Sequence, residues 1–318
     1  MTVAGENGQS QVDTAAPAAR QIGTWAWLGI GVASAVVGLL PWILTGMRLP
    51  LQNLWGTDTL PAEMPIALLP FSQYSITLIA GIIVVGAAIA GVVARSTRAR
   101  QGRFGLAALT AGVLVTQVIA TVQAAVVVGN GLRPGRESLI YLVAVVSVAT
   151  ASFVVGALVL VLIARMPRAG ALIGLGIAAV AVGWWLGALV VHRPGLVTET
   201  QTALLGLLRW VPAILCGVAI GWCGVNTVGR VVAAVTALAS AVIGPAIATA
   251  VSSATGTRVL ARYPAEMLEY GVQVFQQVLG ISELTLRPIL TAIIVAAAVL
   301  AFKAVLRRRR APLAEACP

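Results

Sequence analysis

The chain has 318 residues, of which 59% are hydrophobic and 10% are charged, and its formal net charge at pH 7 is +11. A water-soluble globule of this length could not cover so much apolar surface, so the composition excludes a soluble fold. A basic protein often binds nucleic acid, but here the arginines stand at the ends of apolar stretches, where they lie among lipid head groups. Membrane lipids are therefore the predicted partners, and nucleic acid is not.

Eight apolar stretches of about 20 residues follow one another along the chain, and each is long enough to cross the roughly 30 Å hydrocarbon core of a bilayer. The sequence predicts an all-α polytopic membrane helix bundle over residues 22–306, with a disordered polar tail at 1–21 and a basic tail at 307–318. The predicted spans are 24–45, 74–94, 104–128, 139–163, 170–191, 210–228, 231–251 and 288–306.

The loops between these spans differ in charge from one side to the other. One side carries thirteen of the 21 lysines and arginines, and the other carries eight of them together with seven of the ten acids. Because Lys and Arg concentrate in short cytoplasmic loops, this asymmetry predicts that both termini are cytoplasmic. The preference for Arg over Lys, with abundant Ala, Val and Gly, is typical of a GC-rich genome and indicates a bacterial plasma membrane.

Two outer loops, 46–73 and 252–287, are too long to be simple turns, and we expect both to be partly helical. Each contains Pro-Ala-Glu-Met, at 61–64 and at 264–267, downstream of a span containing Ala-Ser-Ala-Val-(Val/Ile)-Gly. An internal duplication would explain the match, and chance similarity between Ala/Val-rich helices is the alternative. If both copies have the same role, the proline sets the direction of the chain, and the glutamate, Glu63 or Glu266, caps the start of a short helix.

The second outer loop also contains an amphipathic pattern. Polar and apolar residues alternate at helical spacing over 264–279, which predicts a helix lying at the outer interface. This helix is either a lid or docking surface, or a helix that packs on head groups or on the bundle.

Polar residues inside the spans are few, and no Asp, Glu or Lys lies in the middle of one. Gln117 and Thr121 are four residues apart and share a face of the third span. They would either line a polar path or form hydrogen bonds between helices. Arg209 precedes Trp210 at the start of the sixth span, where it would either bind an anion or anchor the helix at the interface.

The first outer loop holds Asp58 and Glu63 as its acids. An acidic residue in a first outer loop resembles the arrangement in membrane glycosyltransferases that use polyprenyl-linked substrates, in which a carboxylate there serves as a base. The resemblance covers this loop alone, and it implies that Asp58 or Glu63 would act near the bilayer surface. The alternative is that both are solvated loop acids.

The motifs of nucleotide, dinucleotide and serine-nucleophile sites are absent from the sequence, as is a set of metal ligands, so we predict neither a cofactor nor a metal. Three functional hypotheses remain. A permease-like or channel-like carrier would use Gln117, Thr121 and Arg209. A non-catalytic accessory or assembly subunit of an envelope complex would bind other membrane proteins through its outer loops. A membrane enzyme would act on a lipid-linked substrate at the outer face. The sequence favours the first two.

Overall fold

The computed structural model describes residues 21–191, 197–257 and 263–314, and over these residues the protein is an all-α bundle. Eight segments are long and apolar enough to cross a membrane, which confirms the predicted polytopic architecture. The helices are α1 (Thr24–Leu44), α2 (Ile76–Ser96), α3 (Gly105–Gly131), α4 (Arg136–Arg165), α5 (Arg168–Val190), α6 (Glu199–Leu208), α7 (Val211–Cys223), α8 (Val228–Gly256), α9 (Pro264–Gly280) and α10 (Ser282–Ala314).

The connections between helices gather at two opposite ends of the bundle. At the end that we call inner, the start of α1 meets the α2–α3 connection, that connection meets the end of α4, and α10 meets the end of α7. The hydrogen bonds run from Ile22 N to Arg100 O, from Arg98 Nε to Ala164 O, and from Lys303 Nζ to Trp222 O. If successive spans cross the membrane in opposite directions, these segments have to lie at the same end of the bundle.

The opposite end, which we call outer, holds the long α1–α2 connection and the α3–α4 connection. Gly56 N donates to Gly131 O over 2.8 Å, and Arg133 N donates to Leu54 O over 2.9 Å. The end of α8 lies at the same place, because Gly256 is beside the ring of Tyr74. The α1–α2 connection, the α3–α4 connection and the end of α8 therefore lie on one side of the bundle.

The first half of the bundle is held by very close helix contacts. α2 lies at its centre and packs on α1, α4 and α5. α1 and α3 approach so closely at Gly31 and Gly112 that a Cβ on Gly31 would overlap the carbonyl oxygen of Leu109. Small residues allow such approach, which is how helices gain packing energy in lipid.

The second half is more open to lipid. α5 links the halves by packing on α2 on one side and on α7 and α8 on the other, and Trp185 donates its indole N–H to Gly38 O of α1 over 2.8 Å. α10 packs mainly on α7 and is the most exposed of the eight spans.

The sixth crossing differs from the prediction of one span over 210–228. It consists of α6 and α7 in series, with a break at Arg209 and Trp210. α7 has 13 residues and is about 20 Å long at 1.5 Å per residue, which is too short for a 30 Å hydrocarbon core. The break follows from Pro212, because proline has no N–H for a helical hydrogen bond.

Two other boundaries also differ. α8 extends to Gly256 and α10 begins at Ser282, so most of the predicted loop 252–287 is helical. α10 continues to Ala314, past the predicted end of the last span at 306 and into the predicted basic tail 307–318. Residues 1–20 of the predicted amino-terminal tail, and residues 315–318, lie outside the described residues.

The contact between α1 and α3 predicts a difference between two glycines of the same helix. Gly31→Ala should lower the free energy of unfolding by about 1–3 kcal/mol, because its Cβ would overlap the backbone of α3. Gly29→Ala is the matched control, since no atom lies within 4 Å of its Cβ position. Thermal unfolding of the purified proteins measures both, and equal melting temperatures for the two variants would contradict this packing.

Candidate functional site

The connection from Met47 to Gln73, which we call the outer cap, is folded tightly onto the bundle without a helix of its own. The expectation of a partly helical loop is therefore wrong for this segment; only the short 3₁₀ turn Gln73–Ser75 marks its end. Several of its apolar side chains are buried with Trp42 of α1 and with the outer half of α3. The fully buried ones are Leu49, Met64, Ala67, Leu69 and Phe71.

Two side chains of the bundle hold the backbone of the outer cap. The indole N–H of Trp42 donates to Ala67 O over 2.7 Å. The amide of Gln123 accepts from Leu68 N over 2.8 Å and donates to Ile66 O over 3.2 Å. Gln123 lies eight residues before the end of α3, or about 12 Å along the helix axis, so the cap dips between the helices. Non-helical backbone at such depth is tolerated only where protein groups or enclosed water bind it.

The sequence pattern alone does not single out Gln123. Its sequence signal is an amide within a predicted span, six residues after Gln117. Two arginines also bind carbonyls of the cap: Nη1 of Arg48, which itself belongs to the cap, donates to Met64 O over 2.6 Å, and Nη2 of Arg133 donates to Asn53 O over 3.4 Å. The sequence shows both arginines only as charges of the outer side.

Asp58 and Glu63 lie on the exposed surface of the outer cap. Glu63 N donates to Leu60 O over 2.9 Å and closes the turn at 60–63, and Glu63 Oε2 accepts a long hydrogen bond of 3.5 Å from Leu60 N. Neither acid lines any of the three cavities described below. The role of a catalytic base for either residue stays a prediction from sequence.

The two copies of Pro-Ala-Glu-Met adopt different structures. The second begins α9, with Pro264 in the first turn and Glu266 near the helix amino terminus, as predicted. The first forms a turn, and no helix follows it. A shared capping role is therefore wrong for Glu63, because the chain after Met64 is not helical and its backbone bonds to Met47 and Leu49 at the start of the cap.

The predicted amphipathic helix over 264–279 is confirmed as α9. It packs back along the outer end of α8, where Gly271 lies against Ala250 and Ala254. Glu266 is on its exposed side.

Gln117 and Thr121 are buried on α3 and take part in hydrogen bonds within the bundle. The amide of Gln117 donates to Ile83 O of α2 over 3.0 Å, and the hydroxyl of Thr121 donates to Gln117 O over 2.9 Å. Arg209 lies elsewhere, at the break between α6 and α7, with its guanidinium carbon 5.0 Å from the centre of a Trp210 ring. α3 packs on α1, α2 and α4, whereas α6 and α7 pack on α5, α8 and α10, so Arg209 belongs to a different group of helices.

Three cavities are informative. An open groove of about 560 Å³ between α3 and α4 is mainly aliphatic, and its Ser147 and Thr150 hydroxyls donate to carbonyls of their own helix. A cavity of about 390 Å³ at the inner end contains Arg168, Arg230 and Lys303. A cavity of about 20 Å³ lies between the outer cap and α4. None of the three is lined by Gln117, Thr121 or Arg209.

The anchoring of the outer cap predicts a specific effect at Gln123. Gln123→Leu leaves Leu68 N and Ile66 O without their side-chain partner, which should lower the free energy of unfolding by about 1–3 kcal/mol and speed proteolysis of the cap. Val122→Leu is the control, because its side chain is exposed on the same helix. Thermal unfolding and limited proteolysis provide the readouts. If Gln123→Leu matches the control in both, Gln123 does not anchor the cap.

Comparison with known proteins adds no assignment. The chain matches no protein family, no curated protein and no solved structure. The chain is an integral, multi-pass helical membrane protein by its own architecture, and its function has to be argued from the geometry above.

Proposed function

We propose that the protein is a non-catalytic accessory or assembly subunit of a membrane complex, and that it binds another envelope protein through its outer cap. The observation that carries this proposal is a rigid segment with exposed apolar side chains at its surface. Leu51 is 53% exposed and Leu60 is 64% exposed, although the chain around them is bonded to α1 at Met47 and Ala67 and to the end of α3 at Gly56. Apolar groups that remain exposed on an ordered surface are typical of protein interaction sites.

The composition of this surface fits an interface. Leu60 is followed by the exposed residues Pro61 and Ala62, and the acids Asp58 and Glu63 flank this apolar tip. An apolar centre with a polar rim is the usual anatomy of a protein–protein contact. Burial of one leucine contributes about 1.5–3 kcal/mol, and because the cap is already ordered, little conformational entropy would be lost on binding.

The alternatives have less support. A carrier would need polar groups free to meet a solute, but the amide of Gln117 and the hydroxyl of Thr121 are used in hydrogen bonds within the bundle. An enzyme acting on a lipid-linked substrate would need Asp58 or Glu63 to face an apolar groove, and both are exposed on the cap. These contacts favour an accessory or assembly subunit over a carrier or an enzyme.

The orientation is part of this proposal: the inner end faces the cytoplasm of a bacterial cell, and the outer cap faces outward. In a background without cysteine, Asp58→Cys should react with a membrane-impermeant maleimide in intact cells. Arg100→Cys, at the inner end, should react only after the cells are permeabilised. The opposite pattern would show that the bundle is inverted and that the outer cap is cytoplasmic.

Crosslinking tests the assembly role. A photoreactive amino acid at Leu60 should give one discrete adduct with another membrane protein in living cells. The same residue at Leu158, which is 51% exposed on α4 and faces lipid, is the control and should not give that adduct. Leu60→Asp should remove the adduct made from Leu51 while leaving the melting temperature unchanged, because the side chain makes little contact within the protein. Adducts of equal yield from Leu60 and Leu158, or none from either cap position, would contradict the proposal.

A further inference from the structure

The cavity of about 390 Å³ at the inner end, which we call the basic pocket, lies between four helices. Its wall combines the start of α5, the end of α7, the start of α8 and the inner part of α10. The residues on which the argument depends are Arg168, Trp222, Arg230, Leu300, Lys303 and Ala304.

Positive charge dominates the basic pocket. Arg168, Arg230 and Lys303 line it, and the guanidinium carbon of a fourth cation, Arg95, lies 5.1 Å from the centre of a Trp222 ring. Every acid in the described ranges belongs to the outer cap, to α9 or to the outer end of another helix. These acids are Asp58, Glu63, Glu137, Glu199, Glu266, Glu269 and Glu283. The basic cluster therefore has no counter-charge from the described residues, and an external anion would relieve its self-repulsion.

The pocket is held in shape by bonds that do not involve a ligand. Lys303 Nζ donates to Gly221 O over 2.9 Å and to Trp222 O over 3.0 Å, so it binds the last carbonyls of α7. An ammonium has three N–H donors, and this leaves one of them for an anion. Gly224 turns the chain with a φ of 75°, in the left-handed region that favours glycine, and brings the start of α8 to the pocket.

Two helix amino termini add to the positive potential. α5 begins at Arg168 and α8 begins at Val228, both at the edge of the pocket. The free N–H groups and the dipole of a helix favour an anion at its amino terminus. Together with arginine, whose planar donor group matches phosphate oxygens, this chemistry suits a phosphate group.

One side of the wall is apolar and includes part of α10. Trp222, Leu300 and Ala304 form this side. α10, which carries two of them, is the most exposed span, and on the face that lines the pocket Ala304 is exposed and Leu300 is partly exposed. A ligand here would place its charged group among the cations while an attached hydrocarbon chain lay along α10, which a small soluble anion would not use.

We propose that the basic pocket binds the phosphate of an anionic phospholipid from the adjacent leaflet. The head group lies among Arg168, Arg230 and Lys303, and an acyl chain lies along α10. Basic pockets between membrane helices on the cytoplasmic side suit acidic lipid head groups, because the surface potential and the pocket attract the same charge. This inference does not depend on the proposed function, since the outer cap is at the opposite end of the bundle.

Binding of defined lipids to the purified full-length protein tests the proposal. In neutral detergent, dioleoylphosphatidylglycerol is titrated against dioleoylphosphatidylcholine, and bound lipid is counted by native mass spectrometry. Wild type should prefer phosphatidylglycerol. The double variant Arg168→Gln/Arg230→Gln should bind it on the order of 30-fold more weakly, because each basic side chain near an acidic lipid contributes a factor of about five.

A control variant separates the pocket from general charge. Arg100→Gln/Arg103→Gln removes the same charge from the same end of the bundle but outside the pocket, and it should keep the affinity of wild type. If the double pocket variant does not fold, Arg168→Gln alone replaces it, because this side chain is exposed and should lose about fivefold.

Three results would overturn the proposal. One is equal affinity of the pocket variant and wild type for phosphatidylglycerol. Another is an equal loss in the control variant, which would indicate attraction by net charge alone. The third is displacement of the lipid by inorganic phosphate at matched concentration, which would assign the pocket to a soluble phosphate rather than to a lipid.

Discussion

The constraint on which this structure depends is that backbone polar groups cut off from water must find partners within the protein. The helices meet it through their own hydrogen bonds. The outer cap cannot, because it is not helical, so Trp42 and Gln123 bind three of its backbone groups where it enters the bundle. The same constraint applies at the end of α7, where Lys303 of α10 donates hydrogen bonds to the last carbonyls of the helix. Long polar side chains thus bind the backbone groups that have no partner within a regular helix.

Close packing supplies the second element of stability. Lipid is as apolar as leucine, so helices gain little from burying large side chains and more from fitting together closely. Glycines at Gly31, Gly86 and Gly112 allow α1 to touch the backbones of α2 and α3. This explains why the first half of the bundle is compact, and why the outer cap finds a firm base there rather than on the looser second half.

The distribution of charge distinguishes the two ends and connects both proposals. Over the described residues the acids lie at the outer end, where Asp58 and Glu63 flank the apolar tip of the cap. The inner end is basic, and two of its arginines are already bound: Arg95 and Arg98 donate to carbonyls at the end of α4. Arg168 and Arg230 instead line an open pocket. The outer surface is therefore suited to a protein and the inner pocket to an acidic head group.

The sequence by itself determined the number of spans and their helical structure, because length and hydropathy follow directly from the thickness of a bilayer. It also predicted α9 from its amphipathic period. It did not predict that Pro212 would divide the sixth crossing, or that one Pro-Ala-Glu-Met would be a turn and the other a helix start, because identical tetrapeptides take the structure that their surroundings allow. Only the tertiary structure decided that Gln117 bonds to α2, that Gln123 holds the cap, and that Arg168, Arg230 and Lys303 share one pocket. These residues are far apart along the chain, and the periodicity of the sequence within one helix does not indicate which other helix it will contact.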